Sequence, residues 1–157
     1  MDTAKTVEYI VETLAKKGLT IATAESCTGG MAASTIIDYP GASSVFMNGI
    51  VSYSNNAKMK FLGVKAETLE KYGAVSAQTA AEMCEGTARV SGTDIGISTT
   101  GVAGPGGGTP EKPVGTVYIG IHTPAGTFTK LLQLSGTRSE IRRQTTEILL
   151  DELKNRI

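Results

Sequence analysis

The sequence predicts a three-layer α/β/α sandwich built on a mixed sheet, and three observations predict it. Helical periods and short apolar strands alternate along the 157 residues. Helices stand before, between and after the strands, which places helix layers on both faces of the sheet. Two late strands are joined by Thr123-Pro124-Ala125-Gly126, a hairpin signal, so the sheet is not purely parallel.

Taken in order, Val7, Ile10, Val11 and Leu14 recur on one face of a first helix, which Gly18 closes as a left-handed cap. Leu19 to Ala24 reads as a buried strand. The turn Glu25-Ser26-Cys27-Thr28-Gly29-Gly30 and a helix from about Met31 to Asp38 follow it. This order puts Ser26 at the carboxyl end of a strand, the edge where open α/β sheets usually hold ligands. Pro40-Gly41 breaks the chain, and Val45 to Tyr53 is extended, with a kink expected at Asn48-Gly49. Ser54 caps a helix that runs to Leu62 and ends at Gly63. Short and long helices follow over Ala66–Tyr72 and Ala77–Val90, the second capped by Ser76. Asp94–Thr100 is a strand, and Gly101–Pro113 a loop rich in glycine and proline. Val114–His122 and Thr127–Leu134 form the hairpin. A capping box, Thr137-Arg138-Ser139-Glu140, opens the last helix.

A chain of this length fits one domain, 1–157, and buries ~70% of its unfolded surface without help from a disulfide or metal. Fifteen basic and fifteen acidic residues leave no net charge, which argues against nucleic acid as the main partner. No apolar run approaches a membrane span and no signal peptide opens the chain, so a cytoplasmic protein is expected. One histidine, His122, and two separated cysteines, Cys27 and Cys84, supply no zinc-ligand spacing. The glycine loop Gly101–Gly108 lacks the Gly-Lys-Ser/Thr of a phosphate-binding loop and leads into a strand, so kinase and dehydrogenase readings lose support.

What remains is a hydroxyl nucleophile with an unusual base. Ser26 sits at a strand-to-helix turn where the N–H groups of Thr28, Gly29 and Gly30 suit an oxyanion; the plainer alternative is that Ser26 or Thr28 caps the helix. Cys27 is a rival nucleophile, or a small buried thiol. Lys58 lies early in a helix, where the macrodipole disfavours a cation. It is either solvated there or placed to act as a desolvated base, with Tyr53 able to orient it or relay a proton.

Five motifs decide among these. They are Ala24-Glu25-Ser26-Cys27-Thr28-Gly29-Gly30, Tyr53-Ser54-Asn55-Asn56-Ala57-Lys58, Gly73-Ala74-Val75-Ser76, Thr100-Gly101-Val102-Ala103-Gly104-Pro105 and Lys112-Pro113-Val114-Gly115-Thr116-Val117. In this order, over nearly the whole chain, the sequence closely resembles the CinA C-terminal domain family, the nicotinamide-nucleotide amidases. The resemblance implies conversion of nicotinamide mononucleotide to nicotinate mononucleotide and ammonia, in pyridine-nucleotide recycling. It makes Ser26 the nucleophile, Lys58 the general base and Tyr53 an assistant. Thr100, Gly101 and the loop after them join the substrate site, and Ser43 matches a further family serine. It implies a homodimer and no metal or organic cofactor. Nothing is carried over from the additional N-terminal domain of many relatives. The alternative from another class is a non-catalytic nucleotide-binding or scaffold module.

The last helix adds a phosphate site to this expectation. Ile141, Thr145, Leu149 and Leu153 form its inward stripe, and Arg138 and Arg142 project toward that stripe while Arg143 points outward to pair with Glu147. Two arginines one turn apart at a helix N-terminus suit a bound phosphate.

Overall fold

A computed structural model describes residues 2–157. Five strands form one sheet: β1 (Ile21–Glu25), β2 (Phe46–Val51), β3 (Ile95–Gly101), β4 (Thr116–Thr123) and β5 (Gly126–Gln133), in the order β2-β1-β3-β4-β5. β1 pairs in parallel with β2 and β3, and β4 and β5 are antiparallel additions. The expected hairpin closes with Thr123 opposite Gly126, leaving Pro124 and Ala125 as its loop. The irregularity of β2 falls one residue earlier than expected: Ile21 pairs with Phe46 and Ala22 with Asn48, so Met47 is the extra residue.

Six helices cover the sheet: α1 (Thr3–Lys17), α2 (Met31–Ile37), α3 (Asn55–Leu62), α4 (Ala66–Tyr72), α5 (Ala77–Ser91) and α6 (Arg138–Lys154). On one face α1, α2 and α6 pack on one another and on the sheet; on the other, α3 and α4 pack on α5, which lies on β3, β4 and β1. This is the three-layer sandwich. The main core, between the sheet and the first helix layer, contains the whole expected stripe of α1 and that of α6. A smaller core of Ala24, Leu62, Val64 and Met83 joins β1 to α3 and α5.

Local chemistry fixes the helix ends near the site. The Ser54 side chain caps α3 by accepting from the Ala57 N–H at 3.1 Å, and Ser76 does the same for Thr79 on α5. Gly86 sits where α5 crosses the end of α3, and any Cβ there would run into the carbonyl of Leu62. The two helices therefore touch backbone against side-chain-free backbone.

Candidate active site

The pleat of β1 sorts the residues of the expected turn. Ala24 faces the α3 side, in the small core with Leu62 and Met83. Successive side chains alternate, so Glu25 turns to the α2 side and Ser26 returns to the α3 side. The hydrogen bonds agree. Glu25, 1% exposed, accepts from the N–H groups of Ala32 and Ala33 at 2.8 and 3.1 Å and from the Thr28 hydroxyl at 2.5 Å. It supplies the cap that Gly30, with no side chain, cannot give α2.

Ser26 meets Lys58. The lysine is the fourth residue of α3, and helical side chains lean toward the N-terminus, so its amine reaches back to the chain just before the helix. Nζ lies 3.0 Å from Ser26 Oγ, 2.9 Å from the Ser52 carbonyl and 3.3 Å from the Tyr53 carbonyl. Lys58 is 1% exposed, and none of its partners is a carboxylate. Burial lowers its pKa from the ordinary lysine value, with Cys27 acting weakly the other way. A neutral amine has two N–H groups and one lone pair. In that form two carbonyls, which only accept, would take the N–H groups and leave the lone pair for the serine hydroxyl.

Cys27 is buried, and burial pushes its thiol up to about 11, so it carries no thiolate near neutral pH. Within the turn, the Gly29 N–H donates to the Ser26 carbonyl at 3.1 Å. Gly29 is therefore not a free donor, contrary to the expectation. The Thr28 hydroxyl is likewise turned inward, to Glu25 and to Thr99 at 2.7 Å. Among the described residues no acceptor meets the N–H groups of Cys27, Thr28 and Gly30.

Beside the turn a cleft of about 220 Å³ is lined by Cys27, Tyr53, Arg138 and the loop from Gly101 to Gly107. Tyr53 is 62% exposed, and its hydroxyl accepts from Arg138 at 2.9 Å. It touches Lys58 through its main-chain carbonyl only, so the expected phenol relay is not formed. Arg138 also donates to the Gly104 carbonyl at 2.7 Å and stands at the cleft rim. Arg142 does not share that position. Its guanidinium donates to the carbonyls of Cys27 and Thr28, both at 2.9 Å, and so holds the turn that follows Ser26. Among the described residues Arg143 forms no ion pair, Glu147 included.

Thr100 is 1% exposed, and its hydroxyl donates to the Ala74 carbonyl at 2.7 Å, tying the segment before α5 to β3. Gly101 lines the cleft, but its missing side chain is explained by packing: a Cβ there would stand 2.6 Å from Val117 Cγ2. Ser43 lies apart from the site. It is exposed in a short 3₁₀ turn, Ala42–Ser44, and Val45 accepts from the Ile21 N–H at the amino end of β1. Ser26 follows the carboxyl end, ~16 Å away at ~3.3 Å per strand residue.

Two site residues escaped sequence reasoning as actors, Glu25 and Ser52. A signal existed for the first: α2 starts after a glycine and lacks a capping side chain, so an outside acceptor was required. Among the described residues, no helix is long and apolar enough to cross a membrane.

Fold and site together define a three-layer α/β domain with a buried serine–lysine pair at the carboxyl edge of its sheet. The model of the CinA C-terminal domain matches residues 3–157, and the chain belongs to that family. A CinA-like protein of Kosmotoga olearia is 58% identical over 92% of this chain, which spans 35% of that relative. The chain covers only about a third of the length of the curated relatives it matches. Among solved structures, the competence/damage inducible protein CihA from Agrobacterium tumefaciens superposes with a TM-score of 0.94 at 39% identity, covering 98% of this chain and 94% of that one. A CinA superfamily protein from Enterobacter cloacae gives a TM-score of 0.96 at 31% identity, covering 99% and 92%.

Proposed function

We propose that this chain is an amidohydrolase acting on nicotinamide mononucleotide, with Ser26 as nucleophile and Lys58 as general base. The observation that carries the reading is the buried Lys58 amine, which lies 3.0 Å from the Ser26 oxygen and is held there by the carbonyls of Ser52 and Tyr53. A lysine kept neutral by burial is the kind of base that activates a hydroxyl near neutral pH.

The steps balance as follows. The Ser26 O–H bond breaks, its proton moves to Lys58 Nζ, and Oγ bonds to the carboxamide carbon. The N–H groups of Cys27 and Thr28, free of protein acceptors, suit the oxyanion. Its collapse expels the amide nitrogen, which leaves as ammonia with the proton from Lys58. Water then gives a proton to the same amine, attacks the acyl-serine, and Ser26 recovers its hydrogen. The pyridinium charge of the substrate activates the amide. Arg138, at the cleft rim, suits the phosphate. The family resemblance carries the substrate and the homodimer, and light scattering tests the latter.

The direct test is ammonia release from nicotinamide mononucleotide. Stoichiometric ammonia and nicotinate mononucleotide are expected; binding without turnover would replace the reading with a nucleotide-binding module.

A further inference from the structure

Among the described residues, two buried side-chain oxygens have no hydrogen-bond partner, those of Thr23 and Ser52. A buried hydroxyl left unpaired costs about 1–3 kcal/mol, and each instance calls for a reason. Thr23 lies in the middle of β1 beside Gly49, away from the site. Ser52 lies within it.

The ladder settles which way Ser52 faces. Ile50 packs in the small core with Ala24 and Leu62, on the α3 side. Val51 lies on the other side, where its Cγ2 stands 3.7 Å from the position a Cβ on Gly30 would take. The Ser52 N–H continues the pairing by donating to the Glu25 carbonyl at 2.9 Å, so its side chain returns to the α3 side. That is the side of Lys58, and the Ser52 carbonyl is already 2.9 Å from Nζ. The residue is 0% exposed, so bulk water does not meet its hydroxyl.

The reaction proposed above creates a need at this place. In the resting site Lys58 has three partners, and the third is the oxygen of Ser26. In each tetrahedral intermediate that oxygen is bonded to the reacting carbon and is a poorer acceptor, while the lysine has gained a third N–H. A protonated amine in a buried pocket is then one acceptor short. We propose that Ser52 is a positioning residue for Lys58: its hydroxyl rotates to accept from the protonated amine in the two tetrahedral intermediates, where Ser26 Oγ is bonded to carbon. The inference rests on the serine–lysine reading. It explains why a hydroxyl that contributes nothing to the resting fold occupies a buried position.

Few other charges reach this amine. Cys27, on the turn, is a neutral thiol near neutral pH. Glu25 faces the other layer, Arg138 bonds to Tyr53 and Gly104 at the rim, and Arg142 holds the carbonyls behind the turn. On α5, Glu82 and Arg89 bond to the main chain of Lys65 and Leu62, at or beyond the far end of α3.

Two measurements test the proposal. In Ser52→Ala, kcat for ammonia release is expected to fall roughly ten- to a hundredfold, the worth of a hydrogen bond to a charged group. KM is expected to stay within about twofold, because the loss falls on a step after binding, and the thermal midpoint is expected to hold or rise. Ser52→Cys, which keeps the volume but accepts weakly, is expected to lose kcat in the same direction, separating hydrogen bonding from packing. The second measurement needs no turnover. In protein carrying labelled lysine and Ser26→Ala, which removes the third acceptor that carbon bonding weakens in the tetrahedral intermediates, the Lys58 titration is followed by NMR. Adding Ser52→Ala is expected to move its midpoint to lower pH, since the ammonium loses an acceptor. An unchanged midpoint overturns the proposal whatever the kinetics. A shifted midpoint in a chain whose parent releases no ammonia leaves the tie between Ser52 and Lys58 standing and overturns the amidase reading.

Discussion

Glu25 and Ser26 are consecutive residues whose side chains leave the end of β1 toward opposite layers of the sandwich. The carboxylate caps α2 through the Ala32 and Ala33 N–H groups, and the hydroxyl meets Lys58 of α3. One strand end thus fixes the helix on one side of the sheet and presents the Ser26 hydroxyl to Lys58 on the other.

Glu25→Gln tests the first half of that relationship. The amide keeps the shape but loses the charged acceptor for two N–H groups and the Thr28 hydroxyl. We expect a loss of about 1–3 kcal/mol in urea unfolding, from weakened hydrogen bonds to a charged group. An unchanged midpoint would mean that α2 needs no cap.

The nucleophile is tested against its neighbour. Ser26→Ala is expected to abolish ammonia release with the fold intact, and Cys27→Ala to retain most of it. With its thiol pushed up to about 11, Cys27 is also expected to resist iodoacetamide at neutral pH. Reversed results would move the chemistry to sulfur.

Lys58→Arg and Lys58→Ala are both expected to lose several orders of magnitude in rate, since arginine stays protonated. In the proposed mechanism the lysine acts as the neutral amine, so kcat/KM is expected to rise with pH through a limb below the ordinary value of 10.5. Stability carries the same sign. With the folded pKa lowered, the unfolded chain binds more protons between the folded value and the ordinary one. Stability in the wild type is therefore expected to gain on Lys58→Met as pH rises through that window. A constant difference across the window would mean that the lysine is charged when folded.

Tyr53→Phe removes only a bond to Arg138 at 2.9 Å, because the contact with Lys58 is made by the main chain. Turnover within about threefold of wild type is expected, since the bond is exposed and water replaces the phenol oxygen beside the guanidinium. A fall of several orders would restore a phenol relay.

The arginines separate by partner. Arg138→Ala is expected to raise KM for the mononucleotide and to narrow the preference over nicotinamide riboside, which lacks the phosphate. Arg142→Ala releases the Cys27 and Thr28 carbonyls and is expected to lower kcat for both substrates alike. Arg143→Ala is expected to change neither. Equal effects of Arg138 and Arg142 on KM alone would return both to the phosphate.

Period and punctuation made the sandwich legible. The apolar stripe of α1, the caps at Ser54 and Ser76, and the Thr123–Gly126 turn are local signals, and each names its element. Ser26 and Lys58 were legible as a pair through motif resemblance, while their meeting depends on the pleat of β1 and the lean of a helical side chain. The partners of Arg142 and the place of Ser43 were not legible, for one reason. A helical wheel shows that Arg142 points inward but not that the carbonyls of Cys27 and Thr28 wait there, 115 and 114 residues away in sequence. Ser43 is 17 residues from Ser26, yet the parallel pairing of β1 and β2 sends it to the opposite edge of the sheet.

Gly86 touches no catalytic atom, yet it sets how deeply α3 seats against α5. Its empty Cβ position is the tolerance to which the distance between Lys58 and Ser26 is machined. Adding one methyl group there would overlap the Leu62 carbonyl and force α3 and α5 apart, with Lys58 one turn away on the helix that must give. Sequence drift at this position would silence the pair while leaving all five motifs intact.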